Sequence, residues 1–196
     1  MNNKETFRYR CSWSSNTPIY IDYHDNEWGR AVHDDNKLFE MLILEGAQAG
    51  LSWITVLNKR EAYRKAFDNF DPKKVAKYDD EKVKELLSNE GIIRNKLKIN
   101  AAITNAKLFL NIVEKHGSFD KFIWSYVDNK PIQNHFKDFT EMPATSPISD
   151  KISKDLKKIG FKFVGSTIIY SFMQATGMVN DHLTNCFVYE KCNLNK

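Results

Sequence analysis

The segment NKLFEMLILEGAQA, residues 36–49, constrains the fold more than any other stretch of this chain. Its length and spacing predict an α-helix that Asp34 or Asp35 could cap and that ends before Gly50. Apolar side chains cover nearly every side of this helix: Leu38, Phe39, Met41, Leu42, Ile43 and Leu44. A helix that is apolar all round needs other elements to cover it. The segment therefore predicts a helix buried at the centre of a hydrophobic core.

The rest of the chain repeats helical spacing and shows very little strand alternation. Ser52, Ser149 and Ser166 stand where they could begin three of the helices. The further predicted helices cover residues 53–67, 71–78, 79–91, 95–117, 119–127, 150–160 and 167–177. One Pro- and Ser-rich linker, residues 141–150, separates the last two from the others. We predict an all-α fold of about eight helices, in which residues 1–196 form a single unit.

Composition narrows the class of protein without naming a function. Hydrophobic residues make up 42% and aromatic residues 13% of the 196 residues, which is ample for a core. No run of 18 apolar residues predicts a membrane helix, and residues 1–13 show no apolar signal segment, so we expect a cytoplasmic protein without a membrane partner. The net charge of +4 permits a nucleic-acid partner but does not require one.

Two Cys–His pairs near the ends of the chain could bind a metal ion. Cys11 precedes His24, and His182 precedes Cys186 by four residues, a spacing that places both side chains on one face if the segment is helical. Two thiolates and two imidazoles match a tetrahedral structural zinc site. The alternative is that both cysteines are small buried residues and both histidines lie at the surface. We read the other candidates as bystanders: His33, His116, His135 and Cys192.

Glu45 is the one acidic residue whose predicted position suggests chemistry. It lies on the same face of the apolar helix as Leu38 and Leu42, so its carboxylate should be buried or face a cleft. A buried carboxylate without a partner costs several kcal/mol, on the order of 3–5. Glu45 therefore either pairs with an Arg or Lys in a structural ion pair or is kept for a ligand, and Trp53 could cover the same cleft.

Gly91 lies between two strong helix patterns, with a predicted turn of three or four residues. Such a turn can offer backbone N–H groups to a DNA phosphate, and Arg94, Lys96 and Lys98 add positive charge beside it. An ordinary helical hairpin would explain the same pattern.

Long colinear stretches resemble the 3-methyladenine DNA glycosylase I family. They are YHDNEWG (23–29), LFEMLILEGAQAGLSWITVLNKRE (38–61), GIIRNKLKI (91–99) and KKIGFKFVGSTIIYSFMQATGMVNDH (157–182). The match runs from about Cys11 to Cys186. The resemblance implies a helix-hairpin-helix glycosylase bundle that removes 3-methyladenine from double-stranded alkylated DNA and releases the free base.

The same resemblance assigns roles residue by residue. It implies one structural zinc, bound by Cys11, His24, His182 and Cys186, that joins segments 11–24 and 182–186. It implies Glu45 as the base-recognising and catalytic acid, within an aromatic pocket formed by Trp13, Tyr20, Tyr23 and Trp53. Gly50 and Leu51 resemble the segment that fills the gap left in DNA, and the hairpin falls near residues 80–116, with its turn at Gly91 to Arg94. Ala47 departs from the family pattern, where Gln is expected.

The residues also predict a limited mechanism. Helix-hairpin-helix glycosylases often carry an Asp shortly after the hairpin, but Glu114 is the only acid in residues 95–119. We therefore expect weak general-base assistance and reliance on the lability of the cationic substrate. No Lys stands downstream in the place expected of a bifunctional lyase, so we expect a monofunctional enzyme that leaves an abasic site. We also expect a monomer, which is usual for a repair enzyme of this size. Two alternatives are a zinc-stapled DNA-binding module without catalysis, and a zinc hydrolase, which would need an open metal position.

Overall fold

The computed structural model describes residues 8–14 and 17–192, and in this part of the chain the fold is almost entirely helical, as predicted. Its nine α-helices are α1 (Pro18–Asn26), α2 (Asp35–Gln48), α3 (Trp53–Ala66), α4 (Pro72–Val75), α5 (Asp80–Ser88), α6 (Lys96–His116), α7 (Phe119–Trp124), α8 (Pro147–Ile159) and α9 (Ser166–Ala175). Two short strands, β1 (Ile132–Gln133) and β2 (Val179–Asn180), form a parallel pair. The 3-10 helices cover Ser12–Ser14, Asp68–Phe70, Ser125–Val127, Phe139–Glu141 and Tyr189–Cys192.

Helix α2 lies at the centre of the core, which confirms the reading of its apolar sequence. Its residues 38–47 are all buried, and α3, α6, α7 and α9 pack around it. The Asp34 side chain caps the helix by accepting a 2.8 Å hydrogen bond from the backbone N–H of Lys37. The C-terminal end of α2 points towards the cleft described below.

Helix α6 is the long second helix of the predicted hairpin. Asn95 caps its start and Gly117, at φ +86°, ends it. Its side chains Ile99, Ile103 and Ala106 are buried and pack into the main core. Because α4, α5 and α7 also contact α6, this helix holds the hairpin against the core around α2.

Two local predictions were wrong. Helix α8 begins after Ser146, because Ser146 and Ser149 exchange hydrogen bonds in a capping box and Pro147 occupies the first helical position. The turn between α5 and α6 spans residues 89–95 and is longer than predicted. Helix α5 ends before Asn89, whose side chain accepts from the N–H of Gly91 and folds the turn onto itself.

The region after α9 returns across the start of the chain. Val32 N–H donates to the Thr176 carbonyl at 3.0 Å, and a Cβ on Gly177 would lie 2.2 Å from the carbonyl carbon of Arg30. Only glycine, here at φ +68°, permits this approach. The crossing places the segment after β2 beside α1, where a second, smaller hydrophobic cluster forms around Tyr23.

None of the helices in residues 8–14 and 17–192 combines the length and the apolar character needed to cross a membrane.

Candidate functional site

The four predicted metal ligands meet at one point. Their donor atoms all lie within 4.8 Å of one another, and the group could hold a metal ion. The Nδ1 atom of His182 lies 3.7 Å from the sulfur of Cys11 and 3.6 Å from that of Cys186, which is 3.5 Å from His24 Nε2. All four side chains are buried. The cluster joins the beginning of the described chain to its end.

Hydrogen bonds orient both imidazoles towards the cluster. His24 turns Nδ1 away from it to Asp25 at 2.8 Å, and His182 turns Nε2 to the Trp28 carbonyl at 3.0 Å. Asp25 is held in turn by Arg10 at 2.8 Å. Such outer partners fix the ring orientation of metal-binding histidines. Sequence reasoning missed this role of Asp25, which lies within α1 and orients His24.

The segment 182–186 is not helical, so the helix on which the i, i+4 argument depended does not exist. Cys186 instead folds back through a turn in which its N–H donates to the Leu183 carbonyl at 2.8 Å. The N–H of Leu183 donates to the sulfur of Cys11 at 3.4 Å. The turn brings His182 and Cys186 to the same point by another route, with Gly29 packed against the His182 ring.

Next to the cluster lies a cleft of about 370 Å³, large enough for a purine base. All four predicted pocket aromatics line it, and so does Glu45. Its lining residues are Trp13, Tyr20, Tyr23, Trp28, Glu45, Gln48, Trp53, Phe139, Met142, Pro143, Ala144, Thr167, Tyr170, Ser171 and Gln174. The structure therefore brings together the acid and the four aromatic rings that the sequence predicted. They come from the 3-10 helix Ser12–Ser14 and from α1, α2 and α3.

The imidazoles of the cluster support the aromatic wall of the cleft directly. The Trp13 ring lies 5.3 Å from His24 and the Trp28 ring lies 4.6 Å from His182, measured between centroids, and both pairs meet edge to face. Trp13 in turn contacts Tyr20, at 5.4 Å. Because the histidines pack against these rings, whatever fixes the cluster also fixes one wall of the cleft.

Glu45 is 3% exposed and lies at the floor of the cleft. No hydrogen-bond donor or ion-pair partner contacts its carboxyl group among the residues the structure describes. Burial alone raises the pKa of Glu45 to about 8. Its charge contributes to raised pKa values of Tyr20 and Tyr23, after the larger effect of their own burial. The structure thus decides the open alternative: Glu45 has no structural ion pair, in contrast to Glu40, which Arg64 contacts at 2.8 Å.

Two tryptophans of the cleft wall have indole N–H groups without a partner. The Nε1 atoms of Trp13 and Trp53 are buried and have no hydrogen-bond partner in the described part of the chain. Buried donors without acceptors are rare, and each one asks for an explanation. Within the cleft, Glu45 would accept a hydrogen bond from a donor on a ligand.

Gly50 and Leu51 form an exposed turn just beyond α2. Gly50 has φ +78°, and Leu51 is 42% exposed. A second cleft, of about 330 Å³, runs from Glu45 to this turn. Lys98 holds the turn from below by donating to the carbonyls of Ala47 and Ala49 at 2.8 and 2.7 Å. The amino group of Lys98 is therefore bonded to the end of α2. The methyl group of Ala47 is buried in the core, at the position where the family pattern has the longer side chain of Gln.

The turn of the hairpin uses much of its own hydrogen-bonding capacity. The N–H of Gly91 donates to the Asn89 side chain, and that of Ile93 donates to the Tyr63 hydroxyl. A Cβ on Gly91 would lie 2.8 Å from Ala62, so this glycine serves close packing against α3. Arg94 and Lys96 remain exposed at the start of α6 and carry the positive charge of this surface.

Several residues of the cleft were missed by sequence reasoning. Trp28 is buried and also lines the cleft. Met142 lies in the predicted linker, residues 141–150, and Phe139 lies just before it. An irregular segment has no periodicity that could show which way its side chains face. Cys192 is buried beside Gly29 and is not a member of the cluster. His33, His116 and His135 also lie outside the cluster, as predicted.

Comparison with known proteins places this geometry in context. The model of the Methyladenine glycosylase family matches residues 13–189. The chain is 53% identical over 180 residues to DNA-3-methyladenine glycosylase 1 of Escherichia coli (strain K12), covering 92% of this chain and 96% of that protein. It is 50% identical over 177 residues to DNA-3-methyladenine glycosylase of Haemophilus influenzae, covering 90% and 96%.

Solved structures agree with these relatives. A crystal structure of 3-methyladenine DNA glycosylase I superposes with a TM-score of 0.89 at 54% identity and covers 92% of this chain and all of that one. A structure concerned with 3-methyladenine recognition by the Staphylococcus aureus enzyme also has a TM-score of 0.89, at 37% identity, and covers 92% and 96%.

Proposed function

The chain belongs to the methyladenine glycosylase family, and from that premise we propose that it excises 3-methyladenine from double-stranded alkylated DNA by hydrolysing the N-glycosidic bond. The observation that carries the proposal is Glu45, a buried carboxyl group on the floor of an aromatic cleft of purine size, with no partner in the part of the chain that the structure describes. The target base is stacked inside the duplex, so the nucleotide must first be flipped into this cleft.

The cleft suits a cationic purine. 3-Methyladenine carries a positive charge while attached to the sugar, and electron-rich rings such as Trp13 and Trp53 attract a cation by roughly 0.5–2 kcal/mol each. An ionised Glu45 would accept hydrogen bonds from the adenine amino group, whereas guanine offers a carbonyl acceptor there. Adenine would thus match the acceptor that Glu45 provides.

The chemistry asks little of a general acid. The cationic base leaves as a neutral molecule, so its bond to the sugar is already labile. Glu45 is the only acid among the described residues that line the cleft, and Glu114 lies exposed on α6, away from it. We therefore propose that Glu45 contributes through recognition and charge, with weak general-base assistance, and that the enzyme is a monofunctional, cytoplasmic monomer that leaves an abasic site.

We propose that one structural zinc ion occupies the Cys–His cluster. With Zn–S near 2.3 Å and Zn–N near 2.05 Å, a tetrahedral site separates sulfur from nitrogen by about 3.6 Å. Three of the four sulfur–nitrogen separations, at 3.5, 3.6 and 3.7 Å, fit this value. When bound, zinc would cross-link the terminal segments. Four protein ligands leave no position for a catalytic water, which argues against the zinc hydrolase.

The DNA surface would surround the mouth of the cleft. We propose that Leu51 fills the gap left by the flipped nucleotide, because it is exposed and apolar and lies at the end of the second cleft that starts at Glu45. Arg94 and Lys96 would contact phosphates, with the turn of Gly91 shaping the hairpin. Lys98 would act indirectly, by holding the turn of Gly50 and Leu51. Residues 1–196 would work as one glycosylase unit, with a helix-hairpin-helix formed by α5 and α6.

The test is base release from alkylated DNA, analysed by chromatography. The wild-type protein should release 3-methyladenine and no detectable normal adenine, and the DNA should break only after treatment that cleaves abasic sites. Glu45→Gln should lose most of this activity, while Glu40→Gln, which alters the neighbouring paired acid outside the cleft, should keep it. Robust release of normal adenine, or full activity of Glu45→Gln, would contradict the proposal.

A further inference from the structure

Asp181 is a fully buried carboxylate between the cleft and the metal ligand that follows it, His182. Three side chains donate to it: the Asn134 amide at 2.6 Å, the Tyr170 hydroxyl at 2.8 Å and the Gln174 amide at 2.8 Å. Such a network satisfies the buried charge. Two of the donors, Tyr170 and Gln174, are lining residues of the cleft that contains Glu45.

The network decides which end of the Gln174 amide is left for the cleft. An ionised carboxylate can only accept hydrogen bonds, so Asp181 requires the NH₂ group of Gln174 and rejects its carbonyl oxygen. Across the described residues the side-chain carbonyl oxygen of Gln174, Oε1, has no hydrogen-bond partner. The group that Gln174 can offer to a ligand is therefore an acceptor.

We propose that Gln174 is a specificity-determining residue that presents its carbonyl oxygen to the flipped base, and that Asp181 is the positioning residue that keeps the amide in this orientation. The proposal deepens the proposed function and rests on it. A carbonyl dipole attracts the cationic base, and together with Glu45 it supplies a second acceptor for N–H donors of adenine. A freely rotating amide could turn its NH₂ group to the base and accommodate the carbonyl of guanine instead.

The experiment measures dissociation constants of 3-methyladenine and 3-methylguanine by quenching of tryptophan fluorescence. Gln174→Leu should weaken 3-methyladenine binding about fivefold, the size expected for one hydrogen bond. Asp181→Asn should weaken it similarly and narrow the ratio of the two constants, since an Asn accepts either end of the Gln174 amide. In the Gln174→Leu background, Asp181→Asn should have no further effect on affinity.

Asn134→Ala is the matched control, because it removes a bond to Asp181 from the side away from Gln174. It should lower the melting temperature and leave both constants within twofold. Melting curves and zinc content are recorded for every variant. Gln174→Asn, whose shorter side chain cannot reach both Asp181 and the base, should reproduce the loss of affinity even if Asp181→Asn does not fold.

The outcomes separate this proposal from the proposed function. Failure of the wild-type protein to bind 3-methyladenine would refute the function itself. Wild-type binding with no effect of Gln174→Leu would overturn the role of Gln174 alone. Three results would overturn the positioning role of Asp181 and show that it acts through general packing. Asp181→Asn could change the dissociation constants equally with and without Gln174, or Asn134→Ala could change them as much as Asp181→Asn does. The third such result is loss of zinc from Asp181→Asn.

Discussion

Replacing Glu45 by Gln should stabilise the folded protein at neutral pH. In the unfolded chain the Glu45 carboxyl has a pKa near 4.5, whereas burial raises the pKa in the folded protein to about 8. Between these values the folded state keeps a proton that the unfolded state has lost, so the free energy of unfolding falls as pH rises. Gln has no proton to lose and removes this loss of stability.

The magnitude follows from the two pKa values. Each unit corresponds to about 1.4 kcal/mol, so the stability lost through Glu45 is about 3 kcal/mol at pH 7 and approaches about 5 kcal/mol above pH 8. Near pH 4.5 or below, Glu45 is neutral in both states and the difference between Gln and Glu should be small. The advantage of the variant should therefore grow with pH and then level off.

The assay is urea denaturation of both proteins at pH 5, 7 and 8.5. Titration of the Cys–His cluster is common to both proteins and cancels in the difference. Glu40→Gln provides the control of opposite sign, because it removes the negative charge from the ion pair with Arg64, which keeps its contact to Glu61, and should destabilise the protein by about 1 kcal/mol. If the difference in the free energy of unfolding between the two proteins is the same at all three pH values, or changes sign, the folded protein stabilises the ionised carboxylate of Glu45. That result would refute the inference that Glu45 is kept unpaired for a ligand.

Three further predictions concern the structure around the cleft. Cys186→Ser removes one of four metal donors and should lower zinc content and the melting temperature, with excision retained below the new transition; normal melting without activity would point to a catalytic metal. Gly29→Ala should lower zinc affinity in a metal titration, because its Cβ would lie 2.9 Å from the imidazole of His182. Gly50→Ala is the control: its φ is similar, but no described atom lies within 4 Å of the new Cβ, so denaturation should show a loss of only about 1 kcal/mol. Lys96→Met should reduce the slope of log binding constant against log salt concentration for DNA by about one counterion. Lys98→Met should leave that slope unchanged and lower stability, because the Lys98 amino group is bonded to α2. An equal change in slope for both variants would contradict these separate roles.

Helix positions were predictable because their signals are local. The apolar surface of α2, the Asp34 cap and the stop at Gly117 depend on residues within a few positions of one another. Local signals were least reliable at competing residues. Ser149 resembles a cap as much as Ser146 does, and Pro147 between them decides in favour of Ser146 only through the geometry of the first turn.

The sequence by itself determined that this chain is helical, that residues 38–47 are buried, and which chemical groups are present. Only the tertiary structure decided what those groups contact. Among residues 8–14 and 17–192, no basic side chain of a neighbouring element reaches Glu45, whereas Glu40, five residues earlier on the same helix, meets Arg64 of α3. Likewise Cys11 and Cys186 meet through a turn and a chain crossing, not through a shared helix. Such contacts join residues far apart in sequence, so no local pattern contains them.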